Sequence, residues 1–567
     1  MRTVSKFSST GCVLMKTFVL LILILLVAAL DAPRTFAQSC TTATCAALGV
    51  SESQFLAALP SPSNANATVV VTIPSGTAAW TSPISYTVPV GVTSLTIQGA
   101  TTVSCAGTPG TSGYSCRATD GSTIQDSNAT QGGPLIAFTT SGAGQFFRIT
   151  GMTIEGGNIG SSSNNKYNGV LQLLGTSTKI RLDHNHFNDT TYTPSSTTTT
   201  TMMRIFNPSG VADHNVFDQG PQAQNNSSFA MQFYNAVGDT IGNGDGGFAT
   251  PTNWGSSANW FEESNEINGG YGDDCANAGR FVMRYNTFNG ATVSSQTHST
   301  KSDAGPQRGC RQFEEYHNYI SAAGGAPLDA AAGSKQATAL VWGNTLAGGY
   351  YRWLSICSDR NACESPEIAT PNGWGSCGTG NGSGSNWDGN QPTIATGYPC
   401  LDGIGRGYTA QALNGANFPG RLNSVTRTVA WPQQYLEPLY SFMNSIGSAS
   451  PVEVDSGSVT VANQDYYLEN GSFNGTTGTG YGFLSARPST CTAGPGGTYY
   501  TSPTGSYGVA YFATDANGGQ GELYVCTSTN TWTPIYEPYT YPHPLVSGSG
   551  TSGDPPNPPQ NLTATVQ

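Results

Sequence analysis

An all-β solenoid, a right-handed parallel β-helix with an N-terminal cap helix and a C-terminal disulfide-containing β extension, is the fold this sequence predicts. Two observations carry the prediction. An Asn-x-apolar step recurs at Asn185-His186-Phe187, Asn215-Val216-Phe217, Asn265-Glu266-Ile267, Asn286-Thr287-Phe288, Asn318-Tyr319-Ile320 and Asn344-Thr345-Leu346. Its spacing varies between 21 and 50 residues, from Asn286 − Asn265 and Asn265 − Asn215, the period of a solenoid whose coils carry loops of different length. The composition is that of a turn-rich β protein, with 71 Gly among 567 residues, 10% charged residues and no helical heptads. A short alternating run precedes most copies, as in Ile180-Arg181-Leu182-Asp183-His184. An alternating run ending in Asn is a strand that enters a turn tolerating a left-handed backbone. Stacked turns then place Asn over Asn, so that side-chain amides bond from coil to coil.

Residues 1–37 read as a secretory signal. Lys16 leads into the apolar run Phe18 to Leu30, which is short for a membrane span, and Thr35-Phe36-Ala37 approximates a small-x-small cleavage site. The mature chain is therefore expected outside the cell, with no membrane association once the signal is removed. Cys12 leaves with it, and the remaining twelve Cys are even in number, as an oxidising compartment requires. Cys40–Cys45, Cys105–Cys116 and Cys491–Cys526 are the local pairs, and Cys275–Cys310 joins neighbouring coils. Cys357, Cys363, Cys377 and Cys400 leave three pairings open, and none has zinc-site spacing.

Residues 38–480 are the β-helix. Ser51 to Leu59 form a short amphipathic helix that caps the exposed end of the solenoid. Val69-Val70-Val71-Thr72-Ile73, Pro74-Ser75-Gly76, Trp80 and Leu95-Thr96-Ile97-Gln98-Gly99 follow, then the early coil Phe147 to Ile154. This order resembles the start of the pectin-lyase-like β-helix superfamily, and the resemblance runs through the Asn coils to about residue 350. It implies the fold; the superfamily hosts lyases, hydrolases, esterases and binders. Residues 355–430 are Gly-, Asn- and Cys-rich and read as a long stapled loop region. Residues 481–546, with Cys491, Cys526, Trp532 and Tyr539-Thr540-Tyr541-Pro542-His543-Pro544-Leu545, resemble the closing segment of secreted bacterial β-helix proteins of undefined activity. Residues 547–567 hold the stiff linker Asp554-Pro555-Pro556-Asn557-Pro558-Pro559 and what looks like the first strand of a fibronectin type III module.

Counting back two from each Asn gives Asp183, Asp213, Glu263, Arg284, Tyr316 and Trp342. In a strand this position points outward, while the residues one and three before the Asn are expected to point inward. Strands stack about 4.8 Å apart, so the column is an outer ladder of carboxylates that something must neutralise. Arg181 or a Ca²⁺ held by Asp183, Asp213 and Glu263 would serve; a solvated ladder without an ion is the plainer alternative. The same phase turns Glu262 and Glu315 toward the core, unless it slips there. His184, His186 and His214 lie on adjacent coils, where hydrogen-bonded core roles are commoner than metal ligation.

Two chemistries compete. Gly272-Asp273-Asp274-Cys275 matches the "G-D-D-C" of polygalacturonase-type hydrolases, so Asp273 and Asp274 are the candidate acids of an inverting hydrolase, which needs carboxylates about 6.5–9.5 Å apart. The companion "N-T-D", "G-H-G" and "R-I-K" motifs are missing. Against this stands a basic cluster in an acidic protein: Arg280, Arg284, Lys301, Arg308 and Arg311, with His298 in the same loop. Cleaving a uronate by β-elimination needs the carboxylate neutralised and a base for the C5 proton, and lyases of the superfamily use Ca²⁺, Arg or Lys for these tasks. The neighbouring acids Asp273, Asp274, Asp303, Glu314 and Glu315 could instead pair with the bases. Arg280, Tyr316, Trp342 and Glu263 are the expected substrate contacts, since sugar rings stack on flat aromatic faces. The "R-x-P-x-x-R" arrangement of one pectate lyase family is absent. The reading is a secreted polysaccharide lyase acting on an acidic glycan as a monomer, with Ca²⁺ as the only cofactor considered; the alternatives are the hydrolase and a non-catalytic glycan-binding surface protein. A formal net charge of −12 argues against nucleic acid and anionic membrane.

Overall fold

The computed structural model describes residues 40–128, 133–156, 169–190, 200–219, 228–234, 244–290, 293–297, 308–322, 328–334, 338–356, 402–408, 434–454, 460–495 and 506–547. Residues 1–37, expected to be a signal, Cys357, Cys363, Cys377 and Cys400, and residues 554–567, expected to be a linker and the start of a fibronectin-like module, lie outside them.

Three long sheets, each with all neighbouring strands parallel, make up the body. They hold twelve, nine and ten strands among the described residues. The chain visits them in a fixed cyclic order. Phe146–Thr150 lies in the first sheet, Met152–Glu155 in the second and Leu171–Gly175 in the third; Lys179–Asp183, His186–Asn188 and Thr200–Phe206 then repeat the circuit. Each strand pairs with its counterpart one circuit away, as Ile180, Leu182 and Asp183 do with Gly210, Ala212 and Asp213. The interior is apolar and continuous, running from Val69, Val71, Leu95 and Ile97 to Leu439.

The corner between the first and second sheets sets this register. Its first residue is left-handed: His184, His214, Ser264, Tyr285, His317 and Met443 have φ between 53° and 58°, and glycine takes the position at Gly151 and Gly343. The residue before the Asn, not the Asn itself, therefore makes the turn, and it leaves the core instead of entering it. The Asn that follows is fully enclosed. Its amide Nδ2 donates to a carbonyl of the preceding circuit and to the next Asn, as Asn185 does to Ile149 O at 3.0 Å and Asn215 Oδ1 at 3.1 Å. The chain of amides continues through Asn265, Asn286, Asn318 and Asn344 at 3.0–3.2 Å and ends on Asn444. Each Oδ1 also accepts the backbone N–H of the Asn before it.

At the N-terminal end the helix Glu52–Ala58 buries Phe55, Leu56 and Ala58, and Phe55 meets Trp80 edge-on at 5.2 Å. At the other end a smaller sheet forms from Thr479–Gly482, Ala510–Ala513, Glu522–Ser528 and Thr531–Tyr536. It packs on the outward face of the first sheet and makes a second core there: Trp342 and Phe442 meet Phe512 at 4.8 and 5.2 Å, and Phe261 meets Tyr539 at 5.1 Å. Cys40–Cys45, Cys105–Cys116, Cys275–Cys310 and Cys491–Cys526 are bonded as expected, which fits an oxidising environment. No helix among the described residues is long and apolar enough to cross a membrane.

Asn265→Ala tests the corner. The change removes one donor each from Ala212 O and Asn286 Oδ1, and removes the side-chain acceptor of the Asn215 N–H and amide. It should destabilise the protein by about 2–4 kcal/mol in urea unfolding; a loss below about 0.5 kcal/mol would remove the ladder from the account.

Candidate functional site

The expected outer column does leave the main core, but it is not solvated. Its three acids Asp183, Asp213 and Glu263 stand in register on successive strands, followed by Arg284, and each is paired with an arginine of the same or a neighbouring strand. Arg148 Nε donates to Asp183 at 2.6 Å, Arg181 Nε and Nη2 donate to Asp213 at 2.9 Å each, and Arg284 Nε donates to Glu263 at 2.8 Å. Burial alone would raise Asp183 and Asp213, yet Arg148 with His184 outweighs it and lowers Asp183, and Arg181 with His214 holds Asp213 well below the usual range. Burial keeps Glu263 raised although Arg284 and the His543 N–H oppose it. Asp183, Asp213 and Glu263 are each held by a guanidinium group, the alternative the sequence offered through Arg181, and among the described residues no group of three His, Cys, Asp or Glu side chains is placed to hold a metal ion.

The C-terminal segment closes over this ladder. Arg284 donates to the carbonyls of Tyr539 and Thr540 and to Tyr316 Oη, and Glu263 accepts the His543 N–H at 2.7 Å. Tyr541 stacks on Tyr285 at 3.8 Å. Tyr316 and Trp342 stack at 4.7 Å as packing under this cover, so they offer no open face to a sugar.

The basic cluster divides. Arg284 meets Glu263 and Tyr316. Arg280, Arg308 and Arg311 gather instead around the short helix Asp245–Phe248. Arg280 donates to the carbonyls of Gly247, Thr250 and Pro251; Arg308 pairs with Asp402 at 2.6 Å and lies 4.0 Å over the Phe248 ring; Arg311 pairs with Glu437 at 2.7 Å. All four are buried. His298 and Lys301 lie outside the described residues.

Alternation along one strand separates the two candidate hydrolase acids. Asp273 shares the inward column of Met231, whereas Asp274 shares the outward column of Gln232. Asp273 meets Glu262 inside the body, where burial pushes Glu262 up to about 8; burial and the neighbouring Glu262 carry Asp273 well above the carboxylate range. Glu315 is also inward, held by Ser294 and Ser295 at 2.7 and 2.6 Å. The two glutamates that broke the apolar phase are therefore core residues, and Asp273 and Asp274 cannot flank one glycosidic bond.

The third sheet carries an outward row that the Asn alignment does not reveal. Gln172, Arg204, Gln232, Asp274 and Gln296 lie in register on successive strands. Gln232 Nε2 donates to Asp274 at 2.9 Å, and among the described residues nothing bonds the Gln232 side-chain carbonyl. One step along, Phe206 and Tyr234 stand 5.4 Å apart, with the Arg204 guanidinium 3.7 Å over Tyr234 and 4.6 Å over Phe206. Gln172, Phe206 and Gln296 are half-buried and the middle of the row is buried. These strands follow their Asn at unequal distances, so only the shared alternation in Met203-Arg204-Ile205-Phe206 and Met231-Gln232-Phe233-Tyr234 could have signalled them.

Glu262 gives a pH test. A carboxyl raised when folded contributes stability that is full below its unfolded value near 4.5 and is lost as pH rises toward about 8. Glu262→Gln should therefore gain on the wild type as pH rises through that window, by up to about 1.4 kcal/mol per pH unit. Urea midpoints that differ equally at both ends of the window would contradict it.

No family model, no curated protein and no solved structure matches this chain.

Proposed function

We propose that the chain is a secreted, carbohydrate-active, right-handed parallel β-helix protein of the pectin-lyase-like kind, and that it cleaves an acidic polysaccharide laid along the outward row of the third sheet. The observation that carries this reading is Arg204 over Tyr234 in line with Gln232 and Asp274. A uronate polymer needs amides and a carboxylate for its hydroxyls, a flat ring for its sugar face and a cation for its acid group; the row supplies the amides, the carboxylate and the cation, and the half-buried Phe206 beside it the ring. Guanidinium forks match carboxylates, so Arg204 takes the uronate carboxylate. β-Elimination also requires a base for the C5 proton. Lys301 follows Gln296 by five residues in the chain, 301 − 296, and remains the candidate base, with His298 in the same segment of sequence as the alternative. Hydrolysis is less well supported, because Asp274 is the row's one carboxylate among the described residues.

The test is a panel of neutral and uronate-bearing glycans, read by ultraviolet absorbance and by reducing ends, with and without chelator. Elimination from a uronate polymer should appear in both readouts, and Arg204→Ala should lower kcat/KM about a hundredfold. Reducing ends without absorbance would replace the lyase by a hydrolase. Binding without product would leave a glycan-binding surface protein. A product unaffected by Arg204→Ala would move the site off this row.

A further inference from the structure

A second constellation lies on the outward face of the second sheet, apart from the proposed glycan row. The hairpin Thr102–Ala106 and Ser115–Thr119, cross-linked by Cys105–Cys116, leaves the body at Thr101 and returns at Asp120. It runs along the stack instead of projecting from it. Tyr114 Oη donates to Ser264 O, the Cys116 N–H donates to Glu266, and Thr287 Oγ1 donates to Thr111 O at 3.3 Å. At its far end Gly110, with φ 74°, lies so close that a Cβ there would fall 2.1 Å from His317 O.

The root of the hairpin is held by His186. Its Nδ1 is 2.7 Å from Asp120 Oδ1, and its Nε2 is 3.0 Å from Asp218 Oδ2. A carboxylate only accepts, and a neutral imidazole has one N–H. Both contacts are hydrogen bonds only when both ring nitrogens carry protons. The surrounding charges do not supply a substitute donor. Glu155 accepts from Gln125 at 2.7 Å, Glu266 accepts from the Cys116 N–H and from Asn289, and Arg117 on the hairpin is exposed. Asp120 also accepts from Thr153 Oγ1 at 2.7 Å, and Asp218 from Asn268 at 2.8 Å, so each carboxylate keeps a neutral partner if the imidazole lets go.

We propose that His186 is a proton-operated clasp: as imidazolium it ties the root of the disulfide hairpin to the second sheet through Asp120 and Asp218, and as neutral imidazole it releases one of them. Burial opposes the charged ring, but the two carboxylates outweigh it and raise the imidazole above its ordinary value. The clasp therefore stays closed to a higher pH than an ordinary imidazole would hold it, and opens as pH rises further. Opening loosens the root of the hairpin that lies over Ser264, Glu266, Tyr285 and His317, and gives that corner access to solvent.

Hydrogen exchange of the full chain, followed by mass spectrometry over the hairpin peptides and corrected for intrinsic rates, tests this. Between about pH 6 and about pH 9 the wild-type hairpin should lose about tenfold in protection. His186→Gln cannot bridge two carboxylates as a cation, so its hairpin should be weakly protected and insensitive to pH. Gly110→Ala, which displaces the hairpin's far end without touching His186, should lower protection and keep the pH dependence. A wild-type hairpin whose protection does not change, or a pH dependence that survives in His186→Gln, overturns the clasp. Should His186→Gln fail to fold, nuclear magnetic resonance titration of the wild-type ring decides: an imidazolium persisting through pH 6.5 supports the clasp, and a ring already neutral at about pH 6 overturns it.

Discussion

A single buried hydrogen-bond chain, the ladder of asparagine side chains at the corner between the first and second sheets, is the constraint on which the other features depend. Each Asn answers the backbone of its neighbours on both sides, so no circuit can shift by a residue without leaving several buried polar groups unsatisfied. The left-handed residue before it supplies the bend. With the corner held, the strand entering it has one phase only: three residues before the Asn face the interior and two before face out. Charge then accumulates in columns, because every circuit presents the same position at the strand spacing. The protein resolves the outer column by pairing Asp183, Asp213 and Glu263 with Arg148, Arg181 and Arg284, and by covering the result.

That cover changes what the ladder can do. Ion pairs on an open sheet would be weak, salt-sensitive and available to a ligand. Beneath the C-terminal segment, with Tyr539, Thr540 and His543 supplying carbonyls and an N–H, they are internal bonds between two parts of the chain. The polar constellations outside this seam lie on the other two sheets. The third presents the Arg204, Gln232 and Asp274 row beside two aromatic rings, and the second presents His186 between its carboxylates.

Much of the body is legible from residue spacing because it is periodic. The Asn corner, the inward turn of Glu262 and Glu315, the outward turn of Asp183 and Arg284, and the disulfides at Cys105–Cys116, Cys275–Cys310 and Cys491–Cys526 all follow from local pattern. What packs on the periodic body is not periodic. Tyr541 reaches Tyr285 and Ser264 from more than 250 residues away, so an Arg facing outward from its sheet reads as exposed although it is buried. The strands of the third sheet escape for a related reason: excursions of unequal length separate them from the Asn steps, and an alignment on Asn does not carry across those excursions. The pairing of Arg308 with Asp402, 94 residues apart, is equally invisible to spacing.

The claim at the centre of this account is that the outer ladder of the first sheet is a structural seam, with Arg284 and Glu263 its coupled middle. A double-mutant cycle measures it most directly: Arg284→Ala, Glu263→Gln and the double variant, each unfolded in urea. Arg284→Ala alone should cost about 3–5 kcal/mol, because it strands a buried carboxylate. The pair should show a coupling of at least about 2 kcal/mol. Additive effects, with Arg284→Ala as stable as the wild type, would show Arg284 to be a solvated surface charge and would contradict the seam.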